Sequence, residues 1–154
     1  MYKLITALAL ANAVLAQNAG KLTAEKHPSM SISICDSAGC KAEKGEVVLD
    51  SNWRWLHTNE GYTNCYDGDK WVAEHCPDGK TCATNCALEG AEYEKVYGIS
   101  TPKDGALKLQ FVTKNGGSAN VGSRVYLMES EDKYRMFNML NKEITFDVDV
   151  SKLP

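Results

Sequence analysis

Apolar and polar residues alternate in two parts of the chain, at residues 107–111 and 144–150. A period of two places successive side chains on opposite faces of a strand, so both stretches are predicted to be half-buried strands. Short apolar runs at residues 47–49 and 125–128 lie between turn residues and predict two further strands.

Turn compositions separate these segments. They are Asp67-Gly68, Pro77-Asp78-Gly79, Lys103-Asp104-Gly105 and Asn115-Gly116-Gly117. The one helical candidate is Thr81–Glu89, with Asp78 or Thr81 as its N-cap and Gly90 placed to end it. Several short strands without intervening long helices predict an all-β chain, arranged as an antiparallel sandwich.

Residues 1–16 have the pattern of a secretory signal peptide. Lys3 precedes an apolar run, and Val14-Leu15-Ala16 supplies a small residue where signal peptidase cleaves. The run is shorter than the roughly 20 residues that span a bilayer. We therefore expect cleavage before Gln17 and a secreted, extracellular chain of residues 17–154.

Composition narrows the classes of partner. The net charge of −3 arises from acids and bases mixed along the chain, which gives no basic patch for nucleic acid or for a membrane surface. Removing 16 of 154 residues leaves 138, enough for one ordinary domain but short for a large sandwich with a deep groove. No cofactor motif is present, and we expect none to bind.

The six cysteines all follow the predicted signal peptide; they are Cys35, Cys40, Cys65, Cys76, Cys82 and Cys86. An even number in a secreted chain favours three disulfides, and the short loops 35–40 and 76–82 are plausible closures. The alternative is a zinc site, because His75 adjoins Cys76. The Cys-x-x-Cys pairs of zinc ribbons are missing, so we favour disulfides and expect no metal.

Trp53 and Trp55 flank Arg54. In an extended segment both indoles would project from one face, about 7 Å apart along the chain. Flat aromatic faces at that spacing suit sugar rings, and the arginine could bond to hydroxyl groups. The alternative is that both indoles are buried in a core.

Four other polar side chains could contact a ligand. Asn64 and Tyr66 flank a cysteine in a loop, and Asn120 and Arg124 flank a turn that leads into a strand. Capped or solvated surface turns are the alternative explanation for both pairs.

Candidate catalytic groups are few. Asp147 with Asp149, and Glu129 with Glu131, have the spacing of residues on one face of a strand, but solvated polar faces explain both pairs more simply. The three histidines, His27, His57 and His75, have no nucleophile or ligand pattern around them, so we expect surface or internally bonded histidines.

A set of segments extends over nearly the whole chain after residue 16. It comprises Thr23–Pro28, Val47–Trp55, Thr63–Gly68, Cys76–Asp78, Thr81–Gly90, Asn120–Met128 and Phe146–Pro154. In composition and order these segments resemble glycoside hydrolase family 7, the secreted cellobiohydrolases and endoglucanases that act on cellulose. The resemblance implies a concanavalin-like jelly-roll β-sandwich, of which residues 17–154 would form the N-terminal part.

The resemblance also implies roles for particular residues. Trp55 would stack on a glucosyl unit at a tunnel entrance and Trp53 on one further in, with Gln17 as a cyclised N-terminus. The sugar path would include Arg54, Asn64, Tyr66, Asn120 and Arg124. The implied disulfides are Cys35 with Cys40, Cys65 with Cys86, and Cys76 with Cys82. The implied partner is cellulose or a cello-oligosaccharide chain, bound by a monomer.

Two departures from the family pattern stand out. A further disulfide of many members, from the mature N-terminus to the position of Ala87, lacks both cysteines here. The family's nucleophile and acid glutamates lie in a Glu-x-Asp-x-x-Glu motif that would follow Pro154, and no such pattern occurs in this sequence. We therefore expect a parent enzyme that is a retaining, processive cellobiohydrolase, and a 154-residue piece that is inactive and poorly folded by itself.

Three alternatives remain at this point. The parent could be an endoglucanase, or the chain could be a secreted cellulose-binding protein without activity that uses Trp53 and Trp55. It could also be a small disulfide-stapled protein whose tryptophans only fill a core.

Overall fold

A computed structural model describes residues 17–154, so the predicted signal peptide lies outside the described residues. The strands are β1 (Asn18–Ala19), β2 (Ser29–Asp36), β3 (Gly39–Leu49), β4 (Leu56–Thr58), β5 (Tyr66–Asp67), β6 (Lys70–Trp71), β7 (Cys86–Leu88), β8 (Ile99–Ser100), β9 (Lys108–Leu109), β10 (Val112–Asn115), β11 (Ser118–Val121), β12 (Val125–Ser130) and β13 (Lys133–Tyr134). The helices are α1 (Gly79–Asn85), α2 (Tyr93–Tyr97) and a 3-10 turn at Ser51–Trp53. Strands predominate, which confirms the predicted all-β class.

The chain forms two compact units. Of the described residues, unit 1 contains 17–19 and Leu56–Leu88, and unit 2 contains Gly20–Trp55 and Glu89–Pro154.

Unit 1 is built on a three-stranded sheet in the order β1-β7-β4. Strand β1 runs parallel to β7, and β4 runs antiparallel to it. Strands β5 and β6 form a separate hairpin at the Asp67-Gly68 turn, as the turn composition predicts. Helix α1 begins after Asp78, whose Oδ1 accepts the backbone N–H groups of Lys80 and Thr81, both at 2.9 Å.

Four cysteines form the buried hydrophobic cluster of unit 1. The disulfides Cys65–Cys86 and Cys76–Cys82 are buried next to each other, and Leu56 packs against them. A unit with so small an apolar core gains most from covalent links that restrict its unfolded chain. With Cys35–Cys40 in unit 2, the structure contains the three disulfide pairs that the family resemblance implies.

Unit 2 is built on a four-stranded antiparallel sheet in the order β13-β12-β3-β2. The predicted strands at 47–49 and 125–128 are confirmed and pair with each other, with Val125 opposite Leu49. The hydrophobic core beside this sheet comprises Leu49, Ala91, Tyr93 and Ile99. Partly buried Trp53, Tyr97, Leu107 and Val125 pack against it.

The strand prediction for residues 144–150 is wrong. The stretch is exposed and forms no strand, because its backbone has no ladder partner in the described part of the chain. For residues 107–111 the prediction is only partly right. Strand β9 covers two of these residues and pairs with β8, and a bend at Phe111 precedes β10.

The helical prediction is also only partly right. Helix α1 starts two residues before Thr81 and ends at Asn85, because the following residues join the sheet as β7. Gly90 therefore does not terminate a helix. A Cβ at Gly90 would lie 2.1 Å from the carbonyl oxygen of Thr23, so this glycine allows two backbone segments of unit 2 to approach closely.

The sequence prediction missed helix α2. Gly98 ends this helix in the left-handed conformation, with φ of 65°. None of the helices in residues 17–154 is long and apolar enough to cross a membrane.

We expect Gly98→Ala to lower the free energy of unfolding by about 2 kcal/mol, because alanine is strained at this positive φ. The added methyl group would also lie 2.2 Å from Oγ1 of Thr113. Chemical denaturation measures the change. Gly117→Ala is the matched control, since a Cβ there meets no atom within 4 Å and φ is not positive. Equal stabilities for the two variants would contradict this account of Gly98.

Candidate functional site

The segment that carries Trp53 is a tight turn. Ser51–Trp53 forms a single 3-10 turn, so the predicted extended segment with both indoles on one face is wrong. The turn forms because Asp50 accepts the backbone N–H of Asn52 at 2.8 Å, which favours a local turn over continuation of strand β3. The backbone becomes extended again at Arg54.

Asp50 joins this turn to strand β12. Its Oδ2 accepts hydrogen bonds from Nε of Arg124 at 2.9 Å and from the hydroxyl of Tyr126 at 2.7 Å. The Nη2 of Arg124 lies 2.9 Å from the same oxygen. The hydrogen bond from the backbone of Asn52 lowers the pKa of Asp50, and the bonds from Tyr126 and Arg124 lower it further. Together they outweigh burial, which by itself would raise this pKa. Asp50 is therefore held as a carboxylate at neutral pH.

The two tryptophans have different surroundings. Trp53 is half-buried against the core of unit 2, and its Nε1 donates to the carbonyl oxygen of Val121 at 3.3 Å. The guanidinium carbon of Arg124 lies 5.6 Å from the centroid of the Trp53 ring, within cation-π range. Trp55 is 39% exposed. Trp53 is therefore partly exposed, with Arg124 next to its ring, and Trp55 is exposed.

The side chain of Arg54 forms hydrogen bonds within the protein. Nε donates to the carbonyl oxygen of Leu49 at 3.0 Å, and the Nη atoms donate to both carboxylate oxygens of Glu25 at 2.7 and 2.8 Å. Further bonds reach the carbonyl oxygen of Glu89 at 3.2 Å and the hydroxyl of Tyr93 at 3.1 Å. All five N–H donors of the guanidinium thus have internal acceptors. These bonds favour a structural role for Arg54, and its place in the sugar path stays a prediction.

Charge is balanced inside this network. Burial raises the pKa of Glu25, but hydrogen bonds from Arg54 and Tyr93 outweigh that effect and leave the pKa below its ordinary value. Burial and the hydrogen bond to Glu25 raise the pKa of Tyr93 to about 12. Tyr93 therefore remains a neutral donor while Glu25 remains a carboxylate.

Asn120 lies in strand β11, four residues before Arg124. Its Nδ2 donates to the carbonyl oxygen of Gly122 at 2.8 Å, which fixes the local turn. Asn120 and Arg124 both lie in unit 2 with the two tryptophans.

Asn64 and Tyr66 lie in unit 1. Both are exposed, and Tyr66 makes an edge contact with Trp71 across the β5–β6 hairpin, with ring centroids 5.0 Å apart. Trp71 is 59% exposed. The buried disulfide at Cys65 fixes the backbone between the two predicted ligand residues.

Sulfur atoms of Cys65, Cys76 and Cys86 lie within 4.8 Å of one another, close enough to suggest a metal site. Each belongs to a disulfide, so none is the thiolate that zinc binds. Adjacent disulfides explain the grouping.

The histidines have internal partners. Nδ1 of His57 lies 2.8 Å from the carbonyl oxygen of Thr58, and Nδ1 of His27 lies 3.1 Å from the hydroxyl of Tyr93. Asp149 is exposed and accepts the backbone N–H of Ser151 at 2.9 Å, which is a local turn contact.

A protein-family model described as Glycosyl hydrolase family 7 matches residues 19–154. The chain belongs to this family. Its predominance of strands is in line with the β-sandwich fold of family 7.

Solved structures of family 7 enzymes support the assignment. A cellobiohydrolase from Melanocarpus albomyces, complexed with cellotetraose, is 47% identical and covers 79% of this chain, with a TM-score of 0.71. A cellobiohydrolase from Daphnia pulex is 43% identical and covers 72%, with a TM-score of 0.65. The native Humicola insolens endocellulase is 34% identical and covers 72%, with a TM-score of 0.59. This chain spans only 28%, 26% and 28% of those three chains, respectively.

Within unit 2 of this family 7 chain, the structure brings together Trp53 and Arg124 from the predicted set. It adds Asp50, which sequence reasoning missed. The available signal was the Asp-Ser-Asn sequence directly after a strand, since aspartate often bonds to the backbone two residues on. Nothing local to the sequence indicates that the same carboxylate meets a residue 74 positions away.

We expect Glu25→Gln to lower the free energy of unfolding by about 3 kcal/mol at neutral pH, because Arg54 would keep its charge in a site that is 7% exposed. The folded-state pKa of Glu25 is lowered, so its contribution is present above the unfolded pKa and is lost as pH falls through the folded pKa. Denaturation of both proteins from pH 6 down to about pH 3 should show a shallower acid loss in the variant. The same acid dependence in both proteins would contradict this assignment.

Proposed function

We propose that this chain binds a cello-oligosaccharide, with Trp53, Trp55, Asn120 and Arg124 of unit 2 as the principal contacts. The observation that carries the proposal is the guanidinium of Arg124, 53% exposed, beside the partly exposed indole of Trp53. The indole of Trp55, two residues on, is exposed as well. Indole faces suit the apolar faces of glucose rings, and Arg124 can donate to hydroxyl groups. Asn64 and Tyr66 are proposed as further sugar contacts in unit 1.

The proposal for the whole protein is hydrolysis of β-1,4-glucosidic bonds with retention of configuration. In this proposal residues 17–154 are the N-terminal part of the catalytic domain and follow a signal peptide. The disulfides are compatible with the proposed extracellular location. Two carboxylates about 5–5.5 Å apart are required for retention, and the Glu-x-Asp-x-x-Glu motif that supplies them in the family is absent from this sequence.

Among the two family activities we propose a processive cellobiohydrolase. The two cellobiohydrolases are 47% and 43% identical to this chain, whereas the native Humicola insolens endocellulase is 34% identical. The M. albomyces enzyme is complexed with cellotetraose, which makes this ligand a suitable probe for the chain.

Trp55→Ala should weaken cellotetraose binding about tenfold, because one stacking surface is lost. Isothermal titration calorimetry of the mature chain measures the affinity, after circular dichroism has verified the fold of each protein. Phe146→Ala is the matched control, since it removes a ring that is 75% exposed in unit 2 but lies outside the proposed sugar path. Unchanged affinity in Trp55→Ala, or no binding by the wild type, would refute the proposed binding role.

Purified residues 17–154 should release no cellobiose from cellotetraose, because the proposed acid and nucleophile are not among them. Chromatography of the incubated substrate provides the measurement, with an intact family 7 cellobiohydrolase as the positive control. Cellobiose release by the purified chain would overturn the proposal that the reacting carboxylates lie elsewhere.

A further inference from the structure

Asp50 occupies an unusual position between strand β3 and the proposed sugar contacts. Only 9% exposed, it uses one carboxylate oxygen to order the turn that carries Trp53 and the other to hold Arg124. The backbone adds a third link, since the N–H of Asp50 donates to the carbonyl oxygen of Arg124 at 2.9 Å. One acidic residue therefore determines the location of both an aromatic ring and a cation.

We propose that Asp50 is a positioning residue for sugar binding, which fixes the guanidinium of Arg124 beside the indole of Trp53 before the ligand arrives. This inference rests on the proposed function, in which Trp53 and Arg124 contact the sugar. Asp50 itself does not contact the ligand in this proposal; it acts through the two residues it holds.

The contacts of Arg124 indicate why a positioning residue is needed. Its side chain is 53% exposed, and a free arginine side chain would lose considerable rotamer entropy on binding a ligand. Asp50 takes the Nε and Nη2 edge of the guanidinium, and its carboxylate does not use Nη1. A side chain ordered in this way reaches a ligand with less entropy left to lose, which favours affinity through preorganisation.

The surroundings of Asp50 fix its orientation as well. The hydroxyl of Tyr126 donates to the same oxygen that accepts from Arg124, so the carboxylate cannot rotate without losing two bonds. Tyr126 lies in strand β12, which begins just after Arg124 and pairs with β3, the strand that ends just before Asp50. The residues bonded to the carboxylate therefore belong to neighbouring strands or directly adjoin them. Tyr126 of strand β12 thus helps to fix the carboxylate that holds the guanidinium of Arg124.

A double-mutant cycle tests the inference on the mature chain with cellotetraose as the probe. Asp50→Asn keeps an acceptor for the N–H of Asn52 but can place an amide opposite Arg124, so we expect about tenfold weaker binding. In an Arg124→Gln background the same substitution should change affinity by less than about twofold, because the group that it positions is already gone. An undiminished effect of Asp50→Asn in that background would indicate a general structural role and overturn the inference.

Control variants separate the possible failures. Glu43→Gln breaks the 2.8 Å ion pair with Arg135, which involves the same strand β3 but lies outside the proposed sugar path, and should leave affinity unchanged. If Asp50→Asn does not fold, Tyr126→Phe removes one bond to the same carboxylate. It should weaken binding about threefold, again only while Arg124 is present.

The results distinguish this inference from the proposed function. Unchanged affinity in Arg124→Gln, or no wild-type binding, would refute the proposed contacts and this inference with them. Weaker binding in Arg124→Gln with unchanged affinity in both Asp50→Asn and Tyr126→Phe would refute only the positioning role. If Tyr126→Phe is the variant used, a loss that persists without Arg124 also overturns the positioning role.

Discussion

The ion pair between Glu25 and Arg54 is the constraint on which unit 2 depends most directly. It joins residues 29 positions apart through two bonds of 2.7 and 2.8 Å. The remaining donors of Arg54 reach backbone carbonyls and the hydroxyl of Tyr93, so three chain segments converge on one guanidinium. This partly buried pair is costly to break, because Arg54, whose side chain is 7% exposed, would keep an uncompensated charge.

Within the Trp-Arg-Trp sequence, the arginine and the two tryptophans have different surroundings. The arginine is directed into the fold, while Trp53 is partly exposed and Trp55 is exposed. Asp50 makes the comparable connection on the other side of Trp53, where a capped turn and an ordered Arg124 share one carboxylate. Polar contacts, rather than apolar packing alone, thus determine how the aromatic side chains are presented.

Sequence patterns predicted the elements whose partners are present in the described chain. Residues 47–49 and 125–128 form strands because their apolar runs face each other across a ladder. Residues 144–150 have an equally regular alternation but no ladder partner in the described residues, and periodicity alone does not supply one. The turn at Trp53 escaped prediction because one side-chain bond from Asp50 overrides a strand-like composition.

For the candidate site too, local sequence patterns indicated some residues, and contacts between distant positions were missed. Aromatic and polar residue types made Trp53, Trp55 and Arg124 candidate sugar contacts, since their chemistry is visible in the sequence. The partners Glu25 and Asp50 escaped prediction. Glu25 is 29 positions from Arg54 and Asp50 is 74 positions from Arg124, and bonds over such separations leave no local sequence pattern. The five acceptors of Arg54 were likewise not visible in the sequence.

The full occupation of the Arg54 donors has a consequence for how this short segment can change. Mutational tolerance should alternate residue by residue. The flanking aromatic positions, which we propose contact sugar, can vary with the carbohydrate, whereas the central position has almost no freedom. Lysine preserves the charge there but offers only three donors from a single nitrogen, too few to satisfy acceptors arranged around a planar group. Libraries designed to diversify carbohydrate recognition would therefore retain more folded members if they left this arginine untouched.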